Sequence, residues 1–144
     1  MTGQKARQID TIEIVIPAKP QFLKIIRSAV NSICEIRKFC REDMNNVILA
    51  VDEACSNIIK HAYGKPTNQP IQATIKICDD RFEIHLRDYG KKADSNKIKP
   101  RQLDDLRPGG LGVHFIKSVM DEVVYDNTPD KGNLLKLVKI IAKN

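Results

Sequence analysis

Apolar and polar residues alternate along two neighbouring segments in the middle of the chain, residues 71–77 and 82–87. Successive side chains of a strand point to opposite faces of a sheet, so this alternation predicts two strands with one dry face. Asp79 and Asp80 separate the two segments, which predicts that they form a β-hairpin.

Two earlier segments have helical spacing instead. Apolar residues recur every three or four positions over residues 22–40, and again in a stripe after Asp43, the predicted cap of the second helix. Glu53 and Asn57 lie one turn apart, off this stripe, with Lys60 beside them. An acid and an amide with this spacing can converge on one small site. The stripe consists of Val47, Ile48, Val51, Ala54, Cys55, Ile58 and Ile59.

The remaining segments complete the order β-α-α-β-β-loop-α-β-β. Residues 11–16 predict a first strand ended by Pro17, and residues 65–70 a loop. A helix opened by residues 109–112 is predicted, with its apolar face over 113–120, and the last two strands are predicted at 123–126 and 134–141. Short turns join most strands, so we expect an α/β (α+β) two-layer sandwich, with a mixed, mostly antiparallel sheet and helices on one face. Residues 1–10 are predicted to be a flexible N-terminus and 11–144 a single domain.

Composition narrows the class of partner. The net charge is +6 and the pI about 9.2, which suits an anionic partner such as a nucleotide phosphate or an acidic protein face. Tryptophan is absent and aromatic residues make up 5% of the chain, which argues against direct nucleic-acid binding.

The four cysteines form no C-x-x-C pair, so a zinc site is not expected. We expect the cysteines to be reduced and mostly buried. No signal peptide opens the chain, and no apolar run is long enough to cross a bilayer. The sequence therefore predicts a cytoplasmic protein with no membrane partner.

Three short motifs carry candidate chemistry. Gly109-Gly-Leu-Gly112 opens a predicted helix, where glycines and free N–H groups suit a phosphate, although a hinge fits equally well. Asp88 and Gly90 end a strand, where a carboxylate can accept from a purine amino group, although an ordinary turn fits better when the motif is taken alone. The Asn57 carbonyl suits Mg²⁺, and Glu53 could activate a nucleophile, although an isolated pair of this kind is usually a solvated helix face.

The combination of these motifs favours a nucleotide site. Between Gly90 and the glycine motif at Gly109, residues 91–108 lose apolar periodicity and carry six lysines and arginines, which is typical of a functional loop. Each motif also lies in the predicted element that its chemistry requires: the acid and amide on a helix, the Asp-x-Gly at the end of a strand, and the glycines at the start of a helix.

These motifs together resemble the GHKL (Bergerat-type) ATPase superfamily, and within it most closely the bacterial anti-sigma factor serine/threonine-protein kinases. Glu53-Ala-Cys-Ser-Asn57-Ile-Ile-Lys-His61-Ala-Tyr63-Gly64 resembles the N box of the family. Asp88-Tyr-Gly90 resembles its first glycine box, and Gly109-Gly-Leu-Gly112 with Met120-Asp-Glu-Val123 its second. The resemblance runs from about Thr11 to the end of the chain and implies the Bergerat ATP-binding fold.

The resemblance implies ATP and Mg²⁺ as cofactors. Asn57 would hold Mg²⁺, Glu53 would be the catalytic base, and Asp88 would bind the adenine amino group. Residues 91–108 would form the ATP lid, from which Arg107 or Arg101 could reach the terminal phosphate. The full nucleotide-binding set implied is Asn57, Lys60, His61, Asp88, Gly90, Ala93, Arg107, Gly109, Gly110, Leu111, Gly112, Val113 and Asn133.

The resemblance also implies protein partners. The substrate would be an anti-sigma factor antagonist of the STAS type, and phosphorylating its serine would release it and leave a sigma factor sequestered. Arg27 matches the arginine with which the family engages its partner. Small anti-sigma kinases commonly form dimers, so a homodimer is a further expectation.

The chain departs from the family at two positions, and two other functions stay open. Lys92 stands where a second glycine is frequent, and Asn133 follows Gly132 where the family tends to have threonine. These departures motivate a second hypothesis, a nucleotide-gated protein-binding module with little catalysis. A histidine-kinase catalytic fragment is a third and weaker hypothesis, because no helix pair with a phosphoacceptor histidine precedes the domain.

Overall fold

A computed structural model describes residues 9–93, 110–126 and 128–141. Its described strands are β1 (Asp10–Ala18), β2 (Thr67–Ile77), β3 (Arg81–Asp88), β4 (Glu122–Asp126) and β5 (Asn133–Ile140). Its described α-helices are α1 (Leu23–Ile36), α2 (Arg41–Asn57) and α3 (Gly110–Val119), with a 3₁₀ turn at Pro20–Phe22. The predicted element order is therefore confirmed.

The five described strands form one sheet in the order β1-β2-β3-β5-β4. All four pairings are antiparallel, so the predicted mostly antiparallel sheet is antiparallel at every pairing that the structure describes. The predicted hairpin forms between β2 and β3, with Ile75 opposite Ile84. β5 then lies beside β3, and β4 takes the far edge.

The core lies between the sheet and the helices. One face of β3 presents Phe82, Ile84 and Leu86, each with 0% exposure, in line with the buried residues of β2 and β5. Against this face pack the buried sides of α1 and α2 and the buried Ile116 of α3. The two-layer arrangement follows from the periodicities read in the sequence, two residues in the strands and about 3.6 in the helices.

Element boundaries differ from the predictions at both ends of the first strand. Asp10 already pairs with Ile77, so it belongs to β1 rather than to the flexible N-terminus. Pro17 does not end β1 but pairs with Pro70, and the strand continues to Ala18. β1 is an edge strand, where a proline that lacks an N–H is tolerated.

Two other local predictions are wrong. Residues 67–70 belong to β2 rather than to a loop. The cap of α2 is Cys40, whose Sγ accepts a hydrogen bond from the Asp43 N–H at 3.4 Å, and Asp43 instead lies in the first helical turn. A carboxylate there is favourable because the helix dipole is positive at that end.

The second helix does not stop at Asn57. It continues as a π-helical segment, Ile58–Tyr63, and ends at Gly64, whose φ of 79° lies in the left-handed region that favours glycine. Single π-helical turns are rare in proteins, and those that occur are often found at functional sites. No helix within residues 9–93, 110–126 or 128–141 has the length and apolar character needed to span a bilayer.

Candidate functional site

Helix α2 positions the predicted acid and amide. Val51, Ala54 and Cys55 are buried on its core side, whereas Glu53 and Asn57 are half-buried on the adjoining side. The spacing of four residues places the last two one turn apart. Asn57 is also the last α-helical residue before the π-helical segment.

The start of α3 lies against Glu53. A Cβ placed on Gly112 would lie 2.6 Å from Glu53 Cδ and 2.7 Å from its Cγ, which is closer than real contacts allow. Only a glycine therefore lets the helix start approach this carboxylate without displacing it. Residues 53 and 112, separated by 59 positions in the sequence, are therefore brought together by the fold.

The structure describes only some of the other predicted residues of this region. Gly110 is the first residue of α3 and Leu111 the second, and Val113 is half-buried on the same helix. Arg101, Arg107 and Gly109 lie outside the described residues, as does nearly all of the predicted lid.

Asp88 has an unusual environment for a carboxylate. It continues the buried side of β3 after Leu86 and is 1% exposed. Its Oδ1 accepts hydrogen bonds from the Gly90 N–H at 2.9 Å and from Asn133 Nδ2 at 3.0 Å. Burial raises the pKa of Asp88, and these hydrogen bonds oppose that rise. The result is a carboxylate held in one orientation at the end of a core strand.

The turn after Asp88 packs on the π-helical segment. A Cβ on Gly90 would lie 2.5 Å from the carbonyl carbon of Ala62, so the two backbones meet where only glycine fits. The Lys91 N–H donates to the Ala62 carbonyl at 2.7 Å. The segment that begins directly after Asn57 thus supports the turn that carries Asp88 and Gly90.

Asn133, the first residue of β5, binds the same turn from the other side. Its Nδ2 also donates to the Lys91 carbonyl at 2.9 Å, and its Oδ1 accepts from the Ala93 N–H at 2.7 Å. Four predicted residues, Asp88, Gly90, Ala93 and Asn133, are therefore brought together in one hydrogen-bonded group.

Sequence reasoning assigned no role to two residues that support this group. The Tyr63 hydroxyl accepts from the Tyr89 N–H at 2.9 Å and donates to the Pro70 carbonyl at 2.7 Å. Arg87 donates to the Asp88 carbonyl at 2.6 Å and stacks 4.3 Å from the centre of the Tyr89 ring. Tyr63 was visible inside the N-box motif, but its partner Tyr89 is 26 residues away, so no local pattern indicated the contact.

Arg27 links the first two helices. Its guanidinium pairs with Asp52 at 2.6 Å, and both side chains are partly exposed. Asp52 precedes Glu53 on α2, so this ion pair lies beside the candidate catalytic residue. Lys60 and His61, by contrast, are exposed on the π-helical segment.

An adenine nucleotide fits the residues present. The buried Asp88 carboxylate is an acceptor of the kind that a purine amino group requires. At Gly90 and Gly112 the space of a missing side chain is filled by Ala62 and Glu53, so each glycine lets another candidate segment pack directly against its backbone. The Asn57 amide supplies one hard oxygen, a suitable Mg²⁺ ligand where most of the coordination comes from phosphate and water.

Comparisons with known proteins identify the family of the chain. A family model described as "Histidine kinase-like ATPase domain" matches residues 16–139. The chain is 31% identical over 142 residues to the serine-protein kinase RsbW of Oceanobacillus iheyensis, covering 93% of this chain and 89% of that one. It is 28% identical over 148 residues to RsbW of Halalkalibacterium halodurans, covering 97% and 89%.

Two solved structures share the fold. The SiaB–SiaC complex from Pseudomonas aeruginosa matches with a TM-score of 0.65 and 14% identity, covering 90% of this chain and 88% of that one. The histidine kinase domain of a blue-light activated kinase from Erythrobacter litoralis matches with a TM-score of 0.54 and 16% identity, covering 86% and 61%. With a family model that spans most of its length, the chain belongs to the histidine kinase-like ATPase domain family of the GHKL type.

Proposed function

We propose that the chain is an ATP-dependent protein serine/threonine kinase. The observation that carries this proposal is the contact between Glu53 and Gly112, which places an acid at the start of a helix suited to phosphate. The relatives named serine-protein kinase, which match most of both chains, support the same activity.

In this proposal the nucleotide spans the two groups of residues. Asp88 accepts a hydrogen bond from the adenine amino group, and the backbone at Gly90 lies beside the base. Asn57 holds Mg²⁺, which supplies charge neutralisation at the phosphate oxygens when bound. The remaining proposed contacts are Lys60, His61, Arg107, Gly109, Gly110, Leu111, Gly112 and Val113.

Glu53 acts as the base in the proposed transfer. It accepts the proton of a partner's serine hydroxyl as that oxygen bonds to the terminal phosphorus, while the bond to the departing ADP oxygen breaks. Because phosphoryl transfer depends mostly on positioning and charge, the contact with Gly112 bears directly on rate. An acid displaced by even one ångström would transfer the proton poorly.

The proposed protein substrate is a STAS-type anti-sigma factor antagonist. The chain would sequester a sigma factor until the antagonist, in its unphosphorylated form, takes that factor's place. Arg27 is the proposed partner contact, since it is partly exposed beside the catalytic helix. A net charge of +6 favours encounter with acidic partner surfaces.

Transfer of labelled phosphate from ATP to a purified STAS-type antagonist tests the activity. Glu53→Gln keeps the size of the side chain but removes the base, so we expect it to bind ATP and to lower transfer by about 10²–10⁴-fold. Glu42→Gln, on the exposed first turn of the same helix, is the matched control and should transfer at the wild-type rate. Wild-type transfer by Glu53→Gln would contradict the assigned base.

A nucleotide-gated binding module is the second candidate function. Asn133 stands in place of the family's threonine and donates both of its amide hydrogens to protein oxygens. These bonds favour an ordered nucleotide site whether or not phosphate is transferred. This candidate predicts ATP-dependent capture of a partner without labelling of any serine. Label on the partner would exclude it.

A further inference from the structure

We propose that Asn133 is a positioning residue for base selection, acting on Asp88 rather than contacting the nucleotide. This inference rests on the proposed ATP binding, and it makes Asn133 the determinant of how strictly the site requires an amino group on the purine.

The hydrogen-bonding capacity of the Asn133 amide supports this role. An amide group has two donor hydrogens, and here one is directed to Asp88 Oδ1 and the other to the Lys91 carbonyl. Its oxygen accepts from the Ala93 N–H. Neither hydrogen remains for a ligand, so the side chain acts through the residues that it holds.

The geometry of Asp88 explains why such a holder matters. The carboxylate is buried and would otherwise rotate about its last torsion, which has a broad energy profile. Two donors, Gly90 N–H and Asn133 Nδ2, converge on the same oxygen, Oδ1. They fix the plane of the carboxylate and so the direction in which it accepts from a base.

Asn133 also holds the backbone that follows. Its bonds to Lys91 and Ala93 join the start of β5 to residues 42 and 40 positions earlier in the chain. A threonine hydroxyl, with one hydrogen, could donate to Asp88 but could not donate to Lys91 at the same time. Asparagine therefore holds both Asp88 and the Lys91 carbonyl in this chain, whereas threonine could hold only one of them.

Binding of ATP and of inosine triphosphate, measured by calorimetry with Mg²⁺, tests the proposal. Inosine triphosphate carries a carbonyl oxygen where ATP has its amino group, so it cannot donate to Asp88 from that position. We expect the wild type to bind ATP more tightly than inosine triphosphate. In Asn133→Ala the ratio of the two affinities should be about tenfold smaller, the scale of one hydrogen bond to a charged group. Asn133→Thr should restore part of it.

The control is Asn31→Ala. Asn31 also donates to a carboxylate, Glu35 at 3.1 Å, but lies on α1 away from the Asp88 turn, so the ATP preference should not change. If Asn133→Ala does not fold, Asn133→Thr carries the test, because its single hydroxyl hydrogen cannot be donated to Asp88 and to Lys91 together.

The outcomes separate the two proposals. A wild type that binds neither nucleotide would overturn the proposed function. A wild type that prefers ATP, together with an Asn133→Ala or Asn133→Thr variant that keeps the full preference, would overturn the positioning role alone.

Discussion

Asp88 combines two properties that rarely coincide in one side chain, nearly complete burial and a negative charge. Burial of a carboxylate costs free energy unless hydrogen bonds replace the lost water. The Gly90 N–H and the Asn133 amide supply part of that replacement. A ligand amino group would supply more, which is why we read this costly group as a binding residue rather than a structural one.

The raised pKa of Asp88 predicts a pH dependence. Only the ionised form accepts well from adenine, so ATP affinity should fall, as pH is lowered, at a pH above the ordinary value of 3.8 for aspartate. The neighbouring Arg87 guanidinium, like the hydrogen bonds, opposes the rise in the pKa of Asp88. Calorimetric titrations between pH 4 and 8 would reveal the decline, on the order of tenfold per pH unit below the pKa.

Asp88→Asn is the control for that titration. It should bind ATP weakly at every pH and lack the decline. Because the pKa is higher in the folded state than in the unfolded chain, ionisation of Asp88 costs stability at neutral pH, and that cost disappears as pH falls through the folded pKa. The variant should therefore keep or raise the wild-type Tm, and ATP affinity equal to wild type would contradict the assigned role.

At the scale of elements, the two close glycine contacts should respond differently to substitution. In Gly90→Ala the new Cβ would meet the backbone of Ala62, which cannot move without shifting the π-helical segment. In Gly112→Ala it would meet the end of the flexible Glu53 side chain. We expect Gly90→Ala to cost about 1–3 kcal/mol of unfolding free energy, and Gly112→Ala less.

Urea denaturation compares the two stabilities, and labelled-phosphate transfer compares the two activities. Gly112→Ala should remain folded yet transfer phosphate slowly, because Glu53 is displaced. Equal losses of stability in the two variants would show that the α3 contact is as rigid as the backbone contact.

The hydroxyl of Tyr63 joins three elements, the π-helical segment, the start of β2 and the turn after β3. Tyr63→Phe keeps the ring but leaves the Tyr89 N–H without this partner, at a cost of about 1 kcal/mol. We expect faster hydrogen exchange at the Tyr89 amide, detected by NMR, while amides in the centre of β3 keep their protection. Unchanged exchange at Tyr89 would mean that the hydroxyl does not hold the turn.

Much of the fold was predictable because its signals are periodic. The alternation around Ile75 and Ile84 reflects a sheet with one buried face, which a local pattern can reveal. Pro17 misled the prediction because its tolerance depends on lying in an edge strand, a fact of topology. The hydrogen bonds of Asn133 could not be predicted for the same reason, since its partners are 40 or more residues away in sequence.

At the scale of the whole molecule, α2 connects the proposed partner contact with the proposed nucleotide site. Arg27 on α1 pairs with Asp52, the next residue is the candidate base Glu53, and Asn57 follows one turn later. The π-helical segment then carries the same helix to the turn of Asp88. A partner that engages Arg27 would therefore contact a side chain that already touches the catalytic helix.

Arg27→Ala tests this connection. The ion pair is partly exposed, with 42% of the Arg27 side chain and 29% of the Asp52 side chain accessible, so its loss should change stability by less than about 1 kcal/mol. ATP affinity should be unchanged, whereas the KM for the antagonist should rise at least tenfold, the effect of losing a charged contact at an interface. Lys24→Ala, an exposed cation on the same helix, is the matched control. A fall in kcat with unchanged KM would instead assign Arg27 to the ordering of Asp52 and Glu53, and would move the partner surface elsewhere on the molecule.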